Sequence, residues 1–101
     1  MNYTLSSSVQ AVPEVLFRIV GEEAVLLNLN TELYLGLDSV GTRMWRALAE
    51  APTIEEAYAA LLREYDVDPL RLREDIDEFL DTCLKQGLIR IVDKEPAADP
   101  R

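Results

Sequence analysis

No histidine occurs in this chain. That removes the commonest general base, the commonest metal ligand and the usual serine or cysteine triads. Cysteine is nearly absent as well. Cys83 stands alone, so no internal disulfide can form and zinc would find one ligand where it needs several. It falls on the apolar stripe of a helical stretch and reads as a small core residue rather than a nucleophile. Asp75, Asp77, Glu78 and Asp81 lack the spacing and central glycine of a calcium loop. Gly36 and Gly41 flank a helix start, but no Gly-Lys-Ser/Thr follows to cradle a phosphate. No catalytic residue, metal site or cofactor is therefore expected. No apolar run approaches the roughly 18 residues of a membrane span. The start lacks the basic residues and apolar block of a signal peptide, so a cytoplasmic protein that does not engage membranes is expected. Cations are also scarce: 10 Lys and Arg against 19 Asp and Glu give a net charge of −9. Such a field repels nucleic acid, whose affinity rests on Lys and Arg displacing counterions, and leaves neutral or basic partners.

What is present is enough for one globular domain: 101 residues, of which 49% are hydrophobic. Residues 1–13 are polar and serine-rich, and a flexible or loosely docked arm is expected there. Residues 14–20, 23–29 and 31/32–35 are β-branched and aliphatic runs separated by Gly21-Glu22 and Asn30-Thr31, which predicts an antiparallel meander. Val15, Phe17 and Ile19 share one face of their strand, as do Val25, Leu27 and Leu29 of theirs. Leu33, Leu35 and Leu37 do likewise and leave Tyr34 opposite. Asp38 or Ser39 caps a first helix to Ala49, with Val40, Met44, Ala47 and Leu48 on one face and Trp45 beside them. Thr53 and Glu56 form a capping box for a second helix, with Ile54, Ala57, Tyr58, Leu61 and Leu62 as its buried stripe. Asp68-Pro69 opens a third, along which Leu72, Ile76, Phe79, Leu80, Cys83 and Leu84 recur at helical spacing up to Gly87. Residues 88–92 are a short strand candidate and 93–101 a frayed tail.

The expected fold is α+β and winged helix-turn-helix-like: a three-stranded antiparallel sheet followed by three helices, in a domain over 14–92. A winged-helix transcription regulator or adaptor subunit shares that topology. However, the third helix carries Asp68, Glu74, Asp75, Asp77, Glu78 and Asp81 against Arg71, Arg73 and Lys85, which opposes docking on phosphates. The third strand passes straight into a helix and leaves a sheet edge beside a helical layer. That vacant edge is expected to be the working surface.

Leu27-Asn28-Leu29-Asn30-Thr31-Glu32-Leu33-Tyr34, then Leu37-Asp38-Ser39-Val40-Gly41-Thr42-Arg43-Met44-Trp45, and the closing Asp75-Ile76, Phe79-Leu80 and Gly87-Leu88-Ile89 resemble the PqqD-like family. Its members are small peptide chaperones, also called precursor-peptide recognition elements, and the segment from Glu32 to Trp45 looks most like the stand-alone type of lasso-peptide clusters. The resemblance covers about residues 15–92. It implies that a precursor's leader adds as a strand to the third strand and lies against the third helix. It also implies a leader peptidase, cyclase or radical-SAM enzyme as the further partner. On those elements the expected peptide-binding residues are Glu32, Leu33, Tyr34 and Leu35 on the strand, with Leu72, Asp75, Ile76, Glu78, Phe79 and Thr82 on the helix.

Overall fold

The computed structural model describes residues 4–92. In chain order these form β1 (Ser8–Ala11), β2 (Val15–Val20), β3 (Glu23–Asn28), β4 (Tyr34–Leu37), α1 (Ser39–Glu50), α2 (Ile54–Glu64), α3 (Pro69–Lys85) and β5 (Ile89–Val92). The fold is α+β, with five strands in two antiparallel sheets: β2-β3-β4 and β1-β5. No described helix is long and apolar enough to cross a membrane. The tail expected over 93–101 lies outside the described residues.

Local chemistry sets the element boundaries. Gly21 takes φ +68° between the paired Val20 and Glu23, where a two-residue hairpin needs a residue without a Cβ. Asp38 caps α1 by accepting the Gly41 N–H at 2.7 Å. Thr53 accepts from the Glu56 N–H, and Asp68 from the Arg71 N–H with Pro69 at the first helical position. Gly87 closes α3 at φ +70°.

Two expectations about the strands change. The amino-terminal arm is a strand over Ser8–Ala11, paired from Ser8↔Val92 to Ala11↔Ile89, so the closing strand has a partner of its own. The carbonyls of Leu5 and Ser7 accept from the Glu55 and Ile54 N–H groups, donors that the first turn of α2 cannot satisfy internally. This anchorage is long-range, and a serine-rich segment gives no local sign of it. The third strand of the meander also begins later than expected, at Tyr34, because the chain turns over residues 29–33 rather than at Asn30-Thr31 alone. Asn28 is the reason. Its Oδ1 accepts the Asn30 and Thr31 N–H groups, and its Nδ2 donates to the Gly87 carbonyl at 2.9 Å. Glu32, at φ 65°, completes that turn.

The core lies between the β2-β3-β4 sheet and the helices. Leu26, Ile54, Leu61, Ile76, Leu80, Leu88 and Cys83 are its largest fully buried side chains. On β3 the core face is Ala24, Leu26 and Asn28; Val25 and Leu27 line the outer face, and Leu29 lies beyond the strand in the turn. Phe17 stacks on Trp45, with ring centroids 6.1 Å apart. Val40, expected on the buried face of α1, is exposed, and Thr42 is buried instead.

Candidate peptide-binding edge

Two hydrogen bonds fix which backbone groups of β4 are free. The Asn28 N–H donates to the Leu33 carbonyl and the Leu29 N–H to the Glu14 carbonyl, both at 2.9 Å. Bonding in an antiparallel ladder alternates, so β3 turns Ala24, Leu26 and Asn28 toward β4, and Glu23, Val25 and Leu27 toward β2. Leu35 and Leu37 are therefore engaged with β3. The N–H and C=O of Tyr34 and Gly36 point to the outer edge, which no other strand among the described residues occupies.

Both outer strands of a three-stranded sheet have such an edge, but only that of β4 lies beside α3. Leu35, Gly36, Leu37, Asp38 and Gly41 face Phe79 and Thr82 of α3 across a cleft of about 230 Å³. Gly41 keeps this corner tight: a Cβ there would stand 3.3 Å from the capping Asp38 Oδ1 and 3.5 Å from Leu37. An extended chain laid along β4 would find four unpaired backbone groups, an apolar floor and a helix wall. Its side chains would alternate between that cleft and the outer face beside Tyr34.

The expected contact residues fall into four groups. Leu35, Phe79 and Thr82 come together at the cleft, and Tyr34 precedes Leu35 on β4. Tyr34 stands 70% exposed on the outer face, whereas Leu35 is half-buried toward the core. Asp75 and Glu78 continue the α3 stripe, Asp75 holding Arg71 at 3.4 Å, and with Glu74, Asp77 and Asp81 they make that flank of the helix acidic. Glu32 and Leu33 do not belong to the strand; they occupy the turn before it, both exposed. Leu72 and Ile76 are corrections. At 4% and 1% exposure they pack into the core and present nothing to a peptide. Helical spacing marked them as apolar but did not separate the buried stripe from the one beside it.

Gly36, Leu37, Asp38 and Gly41 line the cleft without having been expected there. In the sequence Gly36 stands out only as a glycine flanking the start of a helix. Its position opposite Val25 makes it an edge residue whose backbone is bare on the outer face. Cys83 is buried, and burial pushes its thiol up to about 12, so it is a neutral core side chain at ordinary pH.

A comparison with curated proteins finds no match. Two solved structures are similar. One, described as TbiB1 in complex with the TbiA(beta) leader peptide, is 34% identical over 89% of this chain and 99% of its own, with a TM-score of 0.74. The other, lasso peptide synthetase B1 complexed with the leader peptide, has the same TM-score at 18% identity, covering 82% of this chain and 98% of its own, and speaks to the fold alone. A family model described as coenzyme PQQ synthesis protein D (PqqD) matches residues 23–89. By that match and by the 34% identity, the chain belongs to the PqqD family.

Proposed function

We propose that this protein binds the leader segment of a ribosomally made precursor peptide and presents it to an enzyme, without itself altering a bond. The observation that carries this reading is the free β4 edge beside α3, in a chain 34% identical to a protein solved with its leader peptide. The leader adds to β4 as a fourth strand, bonds to Tyr34 and Gly36, and sends alternate side chains into the cleft against Leu35, Phe79 and Thr82.

Magnitudes say where specificity lies. Four backbone hydrogen bonds at roughly 0.5–1.5 kcal/mol each contribute about 2–6 kcal/mol. Lost translational and rotational freedom costs about 4–15 kcal/mol. Backbone pairing alone is insufficient, and two or three apolar side chains, each worth roughly 1.5–3 kcal/mol on burial, must supply the surplus. Leader choice thus rests on the cleft, while the acidic flank of Asp75 and Glu78 favours a basic or amide-bearing leader residue. Lasso-peptide biosynthesis, with a leader peptidase or cyclase as the recipient enzyme, is the setting we infer, in preference to a radical-SAM system. The cytoplasm, where precursor peptides are made, is the compartment this implies.

Isothermal titration with a synthetic leader from a lasso precursor tests the reading. Saturable binding is expected, with the peptide recovered at unchanged mass. Absence of heat up to high micromolar peptide, for leaders of several precursors, would overturn it.

A further inference from the structure

The sheet has a second open edge, and a side of the molecule with different chemistry flanks it. The ladder alternation that frees Tyr34 and Gly36 on β4 also frees β2. Leu16, Arg18 and Val20 bond to β3, and the N–H and C=O of Phe17 and Ile19 point outward, where no strand among the described residues pairs with them. As α3 flanks β4, α1 flanks β2. Ile19, Gly21 and Glu22 at the hairpin end face Ser39, Thr42, Arg43 and Arg46 of α1, and Tyr65, across a cavity of about 280 Å³. This cavity shares no residue with the cleft beside β4.

One group in it lacks what a buried polar atom requires. Thr42 is 6% exposed, lines the cavity, and its Oγ1 has no hydrogen-bond partner among the described residues. A desolvated hydroxyl left unpaired opposes folding, so an incoming acceptor or donor that reached it would recover a bond the free protein forgoes.

Charge selects the visitor. The α3 flank carries five carboxylates against Arg71, whereas Arg18, Arg43 and Arg46 gather on the β2 side. Arg43 is committed to Glu64, its Nε donating at 2.9 Å. Arg46 reaches Glu50 only at 4.0 Å and keeps most of its guanidinium donors for another carboxylate. Glu22 is the acid on the cavity wall. Arg18 stands exposed on the outer face of the sheet, so a strand laid along β2 would meet a cation on each of its faces.

We propose that the β2 edge is a second docking site, which takes an extended acidic segment of a partner protein by strand addition. The segment bonds to Phe17 and Ile19, with one carboxylate at Arg46 beside the Thr42 hydroxyl and another at Arg18. The site does not depend on leader binding at β4. With both edges occupied, a partner is held on the same sheet as the leader, one strand position beyond each end of β2-β3-β4.

The test uses the full chain labelled with ¹⁵N and a defined probe, the peptide Ac-TETETE-amide, with Ac-TKTKTK-amide and Ac-TQTQTQ-amide as controls. Saturable shifts of the Phe17 and Ile19 amides and the Arg46 side chain are expected with the glutamate peptide in the millimolar range, weakened by salt. Arg46→Glu should abolish them, and Thr42→Val should weaken them several-fold with an unchanged or raised melting temperature. Equal shifts with the lysine or glutamine peptide, or none with the glutamate peptide at 10 mM, would overturn the proposal. So would a drop in melting temperature of Thr42→Val, since the hydroxyl would then serve the fold, or a β2-to-β2 dimer by light scattering, since a second copy would fill the edge. Leader binding is followed in the same spectra at Tyr34 and Gly36, so failure of one site is distinguishable from failure of the other.

Discussion

At the scale of single residues, Asn28 does more for the site than any side chain on β4. It is 4% exposed and satisfied, its carboxamide holding the turn before β4 and the carbonyl of Gly87 after α3. That one side chain ties the turn before β4 to the end of α3. Asn28→Ala should lower stability by about 1–3 kcal/mol, the cost of leaving buried partners unpaired, read from urea unfolding. Cys83 makes the opposite case. With the thiol pushed up to about 12 by burial, iodoacetamide at pH 8 should leave the native protein unmodified by mass spectrometry and alkylate it fully in denaturant. Because the folded value lies above the unfolded one, the stability Cys83 contributes is complete below about pH 9 and declines as pH rises toward 12. The core role of Cys83 was legible in the helical spacing of its neighbours. The role of Asn28 was not, because its partner Gly87 is 59 residues away.

Elements decide what a mutation at the edge means. Proline at Gly36 removes an N–H that faces outward, which an edge strand tolerates, so the protein should stay folded. Leader affinity should fall about 2- to 12-fold, the equivalent of one net hydrogen bond. Proline at Leu35 removes a bond to β3 instead and should destabilise the sheet itself. Paired titration and melting curves for the two variants check the register; the reverse pattern would mean that β4 is turned the other way. On α3 the division is lateral. Phe79→Ala should cost leader binding about 10-fold or more, while Leu72→Ala should cost about 2–5 kcal/mol of stability and leave the affinity of the folded protein unchanged. Helix caps and spans were readable because capping is local chemistry among residues three or four apart. Which of two neighbouring apolar stripes faces the core was not, since that depends on where the sheet lies.

For the molecule as a whole, charge is distributed rather than merely acidic. The carboxylates of α3 lie on the side of the β4 edge, and the arginines of β2 and α1 on the side of the β2 edge. Across the helical layer, the hydrogen bond to Arg43 holds the Glu64 carboxyl below its usual range, and Glu64 in turn raises the guanidinium of Arg43, joining α1 to α2. The folded value of Glu64 is depressed, so the pair's contribution is present above about pH 4.5 and is lost as pH falls through the lower folded value. Chemical denaturation between pH 6 and pH 3 should show that loss, and Glu64→Gln should flatten it. The sequence alone determined the α+β class, the three helices with their caps and the direct passage of a strand into the helix capped at Asp38. Each of these follows from composition or from contacts between near neighbours. Only the tertiary structure decided that the amino-terminal segment is a strand, that Leu72 and Ile76 are core, and that Tyr34 and Gly36 hold the free backbone groups. Those depend on pairing between distant segments, where a shift of one residue exchanges the bonded and the open side of a strand.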